Sequence, residues 1–137
     1  MKTFQLLLPF FLFVFISCSG DSSYINLSSL KCEYLSNPLA VESLNPRLSW
    51  KIETDDENAY NVKQEAYQIL VASSVEKLSE DKADLWNSGK LESDQNSHII
   101  YQGKNLKSQQ KYYWKVAVWD SGGKKSSWSE VASWRVV

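Results

Sequence analysis

Four carboxylates that lie close together in the chain are the first residues whose type and spacing could support catalysis. They are Asp81, Asp84, Glu92 and Asp94. A pair of carboxylates can carry out acid–base hydrolysis when one is held protonated and a water molecule fits between them. All four lie in polar connections between predicted strands, where no apolar segment would raise a pKa or form a cleft. The sequence therefore predicts no catalytic pair here.

The other residues with chemical potential are isolated. His98 is the single histidine and lies in a predicted short strand. A metal site needs several clustered ligands, and a triad needs a nucleophile and an acidic residue held against the histidine; we predict neither around His98. The pair Gly122-Gly123 lies in a predicted hairpin and is not followed by a helix, so it is not a phosphate-binding loop. We predict no catalytic residue, no metal ligand and no cofactor in this chain.

The N-terminus has the composition of an export signal. Lys2 supplies a positive charge, and the run from Leu6 to Ile16 is apolar apart from Pro9. That run is too short to cross a bilayer, which takes about 20 apolar residues. It has the length of the hydrophobic region of a signal peptide. The sequence therefore predicts a signal peptide over residues 1–17.

Cys18 is the predicted site of lipid attachment. The stretch Phe15-Ile16-Ser17-Cys18 resembles a bacterial lipobox, in which the cysteine becomes the lipidated first residue, although Phe15 stands where leucine is usual. Residues 18–29 then form a predicted flexible tether. These features predict an exported lipoprotein of the bacterial cell envelope, in the periplasm or at the cell surface, that meets the membrane through its lipid alone. The alternative is an ordinary signal peptide with Cys18 incidental.

Residues 30–137 have a length typical of one domain, and the composition limits the classes of partner that it could bind. The formal net charge of the chain is −1, which does not suggest nucleic acid as a partner. If Cys18 carries lipid, Cys32 has no disulfide partner. Cys32 lies on the same face as Leu30 and Tyr34 of a predicted strand, which predicts a small buried apolar side chain rather than a reactive thiol.

Hydrophobic periodicity indicates an all-β domain. In the clearest segment Tyr112, Trp114, Val116 and Val118 alternate with side chains of the opposite face. The segment from Tyr67 to Ala72 is apolar at nearly every position, which predicts a central strand. About seven antiparallel strands separated by turn signals predict a sandwich of two sheets. The predicted strands are 30–35, 47–53, 67–72, 85–91 (broken at 87–89), 98–101, 112–119 and 131–137.

Two local features resemble a fibronectin type III domain, which has an immunoglobulin-like sandwich fold. Leu106 precedes Tyr112 by six residues, as in the tyrosine corner of that fold. The resemblance implies that the Tyr112 hydroxyl bonds to backbone upstream. Trp50 stands in the second strand, where the fold keeps a core tryptophan. Ser108 stands where the fold usually has proline.

A longer set of segments is similar to the N-terminal module of bacterial α-L-rhamnosidases. The segments follow the order of that family over about residues 30–137. They are Cys32-Glu33-Tyr34-Leu35, Asn37-Pro38-Leu39, Asn45-Pro46-Arg47-Leu48-Ser49-Trp50, Ala66-Tyr67-Gln68-Ile69-Leu70-Val71-Ala72-Ser73-Ser74, Leu85-Trp86-Asn87-Ser88-Gly89-Lys90, Tyr112-Tyr113-Trp114-Lys115-Val116, Val118-Trp119-Asp120 and Ser127-Trp128-Ser129-Glu130.

The resemblance implies a fibronectin-type sandwich that precedes further β domains and a catalytic α-helical barrel. It implies a parent enzyme that hydrolyses terminal α-L-rhamnosyl linkages with inversion, whose catalytic carboxylates lie in the barrel. The sequence does not contain that barrel, so no catalytic role is carried onto any residue here. Because the sequence ends at Val137, at the end of the last predicted strand, we expect a truncated gene product or a fragment of a longer reading frame.

A surplus of aromatic residues is the feature that the core does not explain. There are six tryptophans and seven tyrosines. By alternation Tyr113 and Trp119 point away from Trp114. With Trp86 and Trp128 they are the predicted contact residues. We expect them to pack against the following domains of the parent enzyme or, alternatively, to stack on a rhamnose-containing glycan.

Two functions therefore stand as hypotheses. The first is a non-catalytic accessory domain of an α-L-rhamnosidase, with the activity elsewhere. The second is a self-standing surface lipoprotein that binds carbohydrate or protein.

Overall fold

The computed structural model describes residues 23–58 and 62–137, and it confirms an all-β sandwich of two antiparallel sheets. The described residues contain eight strands rather than about seven. They are β1 Ile25–Cys32, β2 Arg47–Thr54, β3 Gln64–Ala72, β4 Trp86–Asn87, β5 Leu91–Glu92, β6 Ile99–Ile100, β7 Lys111–Asp120 and β8 Ala132–Arg135, with one 3-10 turn at Val75–Lys77. Strands β1, β2 and β6 form the smaller sheet in that order, and the larger sheet has the order β4-β3-β7-β8, with β5 also paired to β3.

Strand β3 is central, as its composition predicts. It pairs with β7 along one edge and with β4 and β5 along the other. Eight of its nine residues are buried, because side chains cover both faces of this strand. Strand β7 alternates more clearly, with Tyr112, Trp114, Val116 and Val118 in the core between the sheets.

The first strand begins earlier than predicted. Strand β1 starts at Ile25, which is 2% exposed and pairs with Thr54 of β2. Residues 25–29, predicted as part of the tether, therefore belong to the sandwich. The serines at 28 and 29 obscured the alternation, because the register shifts between Ser28 and Lys31. The predicted signal peptide and Cys18 lie outside the described residues.

The end of β1 also differs from the prediction. Cys32 is 1% exposed, which confirms its role as a small buried side chain. Tyr34 does not share its face, since the strand stops at Cys32 and Tyr34 is 53% exposed. Glu33 and Tyr34 adopt positive φ angles of 49° and 66°, and Cys32 and Leu35 exchange backbone hydrogen bonds across this turn.

The segment predicted as one broken strand forms two short ones. Trp86 in β4 pairs with Val71, and Leu91 in β5 pairs with Tyr67. Between them the Ser88 hydroxyl accepts a hydrogen bond of 2.8 Å from the backbone N–H of Ile69. The Gly89 φ angle of +64° lets the chain bulge at this point.

The predicted tyrosine corner is present. The Tyr112 hydroxyl accepts a hydrogen bond of 2.7 Å from the Lys107 N–H and lies 3.3 Å from the Lys107 carbonyl. Tyr112 and Leu106 are both buried. Trp50, Ile69, Tyr112, Trp114 and Val116 share the core between the sheets.

The edge of β8 is covered by the connection that follows β1. The Asn37 side chain accepts a hydrogen bond from the Ser133 N–H at 2.9 Å, and the Pro38 carbonyl accepts one from Arg135. Val41 then forms a parallel bridge with Val136. These contacts occupy an edge that would otherwise be open to pairing with another chain. Nowhere in 23–58 or 62–137 is a helix long and apolar enough to cross a bilayer.

Candidate functional site

The outer face of the larger sheet carries three of the four predicted contact residues. On β7 the side chains of Tyr113 and Trp119 point away from the core, as the alternation predicts. Their cross-strand neighbours on β3 are Ala72 and Ala66. These small residues leave room for the large rings above them, so the sequence of β3 shapes this surface together with β7.

Trp128 lies on the same face, in a segment that two serines hold beside β7 by hydrogen bonds. The Ser126 N–H donates to the Val118 carbonyl, and the Val118 N–H donates to the Ser126 hydroxyl at 3.0 Å. Ser129 repeats this arrangement with Val116. The chain between the two serines is thereby fixed beside β7, and Trp128 joins a small cluster on the outer face that includes buried Leu70.

Lysines and tryptophans alternate across this surface. The ammonium group of Lys125 lies 5.0 Å from the ring centroid of Trp119 and 4.5 Å from that of Trp128. Lys90 lies over Trp119 at 5.0 Å, and Lys115 lies over Trp128 at 5.1 Å. We call these five residues the lysine–tryptophan ladder. The distances are within the range of attractive cation–π contacts.

The ladder is also tied to its surroundings by charge. Lys125 forms an ion pair of 3.0 Å with Glu80, and its Nζ lies 3.4 Å from the Gln68 side-chain oxygen. Lys90 lies 3.5 Å from Glu92. Because each indole already has two ammonium groups over it, a sugar ring that stacked on either tryptophan would have to displace a lysine.

Tyr113 lies beside the ladder and Trp86 lies apart from it. The Tyr113 ring has the ammonium group of Lys111 over it at 5.4 Å. Trp86 pairs with the inward-facing Val71 and contacts Tyr101 edge to face at 5.4 Å. The structure therefore brings Tyr113, Trp119 and Trp128 to one face, whereas Trp86 packs against the core at the edge of the sandwich.

Two of the four carboxylates considered for catalysis, Asp81 and Asp84, have lowered pKa values. Burial opposes ionisation of Asp84, but hydrogen bonds from the side chain and backbone of Ser73 lower the pKa of its carboxyl. The Ser79 hydroxyl is the main cause of a lowered pKa at Asp81. A general acid needs the opposite shift, a raised pKa. In the part of the chain that the structure describes, no three His, Cys, Asp or Glu residues are grouped so that they could hold a metal ion.

The described cysteine is unsuited to nucleophilic chemistry. Burial, assisted by the charge of Glu33, raises the pKa of the Cys32 thiol to about 12. A nucleophilic or metal-binding cysteine must ionise near neutral pH.

The lysines of the ladder belong to this surface but were not predicted from the sequence. The signal was present, because Lys115 lies on the same face of β7 as Tyr113 and Trp119. Lys90 and Lys125 come from separate connections, and only the folded chain shows that they meet the same rings. Tyr67 and Gln102, which line a cavity beside Trp86, were likewise not singled out.

Comparison with known proteins identifies the relatives of this sandwich. The family model described as the Rha78A-like, N-terminal immunoglobulin domain matches residues 27–137. An α-L-rhamnosidase of Formosa agariphila is 50% identical over 95 residues, which cover 69% of this chain and 10% of that protein.

Two solved structures have the same fold. The Streptomyces avermitilis α-L-rhamnosidase complexed with L-rhamnose matches with a TM-score of 0.75 and 38% identity, over 82% of this chain and 10% of its own. The α-L-rhamnosidase from Dictyoglumus thermophilum matches with a TM-score of 0.74 and 39% identity, over 81% and 12%. The chain thus spans about a tenth of the length of these relatives. It belongs to the family of Rha78A-like N-terminal immunoglobulin domains.

Proposed function

We propose that this chain serves as the N-terminal accessory domain of an α-L-rhamnosidase and packs against the domains that follow it in such an enzyme. The observation that carries the proposal is the family match over residues 27–137, combined with relatives of which the matched region makes up only about a tenth. The chain is a non-catalytic immunoglobulin-like domain. Its carboxylates Asp81 and Asp84, held ionised by serine hydroxyls, agree with a supporting role.

Exposed apolar side chains beside β8 support the packing role. Leu39 is 75% exposed and Val137 is 50% exposed. They belong to two segments joined by the hydrogen bond from the Val137 N–H to the Val41 carbonyl. Exposed apolar patches commonly mark interaction surfaces. The ladder, in contrast, already has its aromatic faces covered.

A chimera tests the accessory role. In the Formosa agariphila enzyme, the 95-residue region that matches this chain is deleted, or it is replaced by the corresponding residues of this chain. We expect deletion to lower the melting temperature and the chimera to recover most of that loss. Leu39→Glu in the chimera should reduce the recovery, whereas Lys51→Glu, on an exposed strand position, should not. A chimera no more stable than the deletion would contradict the proposal.

A turnover assay tests the absence of catalysis directly. The purified chain should not hydrolyse an aryl α-L-rhamnoside above background between about pH 4 and pH 8, where carboxylate pairs operate. Hydrolysis that disappears in Asp84→Asn or in another single carboxylate variant would overturn the accessory-domain function. Contaminating enzyme is excluded when such a variant, purified in the same way, is inactive.

We also propose that the chain is an exported lipoprotein anchored through Cys18. The apolar run from Leu6 to Ile16 and the lipobox-like residues before Cys18 support this. Expressed in a Gram-negative bacterium, the protein should partition to membranes and incorporate a fatty-acid probe. Cys18→Ser should abolish labelling, and Cys32→Ser should retain it. Labelling that persists in Cys18→Ser would rule out this anchor.

A further inference from the structure

A small cavity opens where the edges of the two sheets meet. Its volume is about 250 Å³, below the range of about 300–1,000 Å³ that is typical of drug-sized ligands. The larger sheet and its edge contribute Tyr67, Trp86 and Leu91, and the smaller sheet and its flanks contribute the rest. Those remaining residues are Gln95, His98, Ile99, Ile100 and Gln102.

The cavity is lined without charge. None of its eight lining residues is Asp, Glu, Lys or Arg. Four other cavities among the described residues each include at least one charged side chain, such as Asp84 and Lys104 or Glu130. A charged ligand would find no counter-ion here, and the lining therefore selects for a neutral one.

Several polar groups of the lining are not engaged by the protein. Within 23–58 and 62–137, no residue hydrogen-bonds the Tyr67 hydroxyl or the Gln102 side-chain amide, and the His98 ring has only an edge contact with Tyr34 at 5.6 Å. Burial raises the pKa of Tyr67, so its hydroxyl stays protonated and can donate. Beside these groups lie an indole and the apolar side chains of Leu91 and Ile99.

The rim of the cavity is held in a fixed and strained conformation. His98 has a φ angle of 55°, which a residue with a Cβ adopts only at an energetic cost. The Gln95 side chain donates to the Ser97 carbonyl at 2.8 Å, and Asn96 exchanges hydrogen bonds with the backbone of Trp50 in β2. Backbone strain of this kind accumulates at functional sites, and a fixed rim reduces the entropy lost on binding.

We propose that this cavity binds one neutral sugar ring of the 6-deoxyhexose class. The sugar ring packs on the Trp86 indole, and its hydroxyls pair with Tyr67, Gln102 and His98. The methyl group of the deoxy sugar contacts the apolar wall that Leu91 and Ile99 form. This inference deepens the accessory function by adding glycan contact to the domain, and it places that contact away from the lysine–tryptophan ladder.

Titration of the chain with methyl α-L-rhamnoside, followed by calorimetry and by amide NMR shifts, tests the site. We expect a dissociation constant on the order of 1 mM, typical of weak binding, with shifts confined to the cavity. Tyr67→Phe and Gln102→Ala each remove one hydrogen bond and should raise the dissociation constant about three- to tenfold. Gln102 is exposed, so Gln102→Ala should keep the fold. It therefore tests the site even if Trp86→Ala fails to fold.

The ladder supplies the matched aromatic control. Trp119→Ala and Trp128→Ala should leave the dissociation constant unchanged, and galacturonate should not bind the uncharged lining. Binding lost in Trp119→Ala but retained in Gln102→Ala would move the site to the ladder and overturn the inference. No binding by a folded chain would also overturn it. Neither result bears on the accessory role, which the chimera tests through melting temperature alone.

Discussion

The two faces of the larger sheet use the same residue type in opposite ways. Trp114 and Trp119 stand five positions apart on β7, so their side chains point to opposite faces. Trp114 is fully buried between the sheets, whereas Trp119 is half-buried beneath two lysine ammonium groups. The parity of a position along the strand therefore decides whether an indole meets apolar side chains or cations.

The comparison also shows how an aromatic-rich surface can face solvent. The lysines of the ladder place their ammonium groups over the rings, so the outer face presents charge rather than a bare apolar patch. In the core, not every indole N–H group has a hydrogen-bond partner. The Trp50 N–H donates to Gln64 at 3.0 Å, but the indole N–H groups of Trp114 and Trp134 have no partner among the described residues.

The two faces should differ most in the stability lost when a tryptophan is replaced by alanine. Trp50 is 2% exposed, lies edge to face with Tyr67 and is hydrogen-bonded to Gln64. Trp50→Ala should lower the free energy of unfolding by about 3–5 kcal/mol, as for other large core aromatics. Trp119→Ala should lower it by about 1–2 kcal/mol, since partial burial and two cation–π contacts are lost. Urea unfolding of both variants measures the difference.

Equal losses in the two variants would mean that the ladder is part of the core. A loss below about 1 kcal/mol for Trp50→Ala is far under the usual range for core aromatics. It would contradict the assignment of that position to the interior.

A second test concerns close packing at the edge of the core. A Cβ atom on Gly103 would lie 2.6 Å from the Leu85 carbonyl oxygen and from the Trp86 Cβ, and it would also meet the Tyr101 hydroxyl. Gly103→Ala should therefore cost about 1–3 kcal/mol, the usual range for overpacking. In Gly122→Ala the new Cβ meets only the Asp120 side chain, at 3.3 Å, so we expect little change. Thermal melts of both variants distinguish steric overlap from loss of glycine flexibility.

Much of the inner face was predictable from the sequence because period two is a local signal. The alternation from Tyr112 to Val118, the buried run of β3 and the tyrosine corner all follow from neighbouring residues. The start of β1 was missed because Ser28 and Ser29 lie at a register shift, where polar residues interrupt the alternation.

The outer face was less predictable because its contacts join distant segments. Lys90, Trp119 and Lys125 meet only after β5, β7 and the following turn are assembled. Trp86 was grouped with the outer tryptophans from its type, and its inward direction depends on the pairing with Val71. The cavity beside Trp86 is lined by residues of both sheets, so no single segment of the sequence predicts it.

Acid should loosen the connection that covers the outer face before it affects the core. The Asp84 carboxylate accepts hydrogen bonds from the Ser73 N–H at 2.9 Å and the Ser73 hydroxyl at 2.5 Å, which tie together the two ends of residues 73–84. Because the folded pKa of Asp84 lies below its ordinary value of 3.8, its stabilisation is complete at neutral pH. This stabilisation is lost as the pH falls from 3.8 through the lower folded pKa of Asp84.

Asp84→Asn measures this contribution. At pH 7 the variant should be about 1 kcal/mol less stable, since charge-assisted hydrogen bonds are lost at a partly exposed site. The difference should shrink as the pH falls below 3.8. Asp94→Asn, at an exposed position, should leave the stability at pH 7 unchanged. A difference between wild type and Asp84→Asn that grows in acid would reverse the sign and contradict this account.

A comparably small effect tests whether charge holds the ladder together. Lys125→Met keeps a long apolar side chain between Trp119 and Trp128 but removes the ammonium group and its ion pair with Glu80. The free energy of unfolding should fall by about 1 kcal/mol at low salt, because cation–π contacts at exposed sites contribute about 0.5–1 kcal/mol each and surface ion pairs add little. At 1 M salt the loss should be smaller, as screening then acts within about 3 Å.

Lys111→Met is the matched control for Lys125→Met. Lys111 lies over the single ring of Tyr113, and no carboxylate in the described ranges forms an ion pair with it. Its loss should therefore be the smaller of the two. If Lys125→Met were as stable as wild type at every salt concentration, the indoles would be held by apolar packing alone. The outer face would then differ from the core only in degree of burial, and the distinction between the two faces by the charge of their partners would fail.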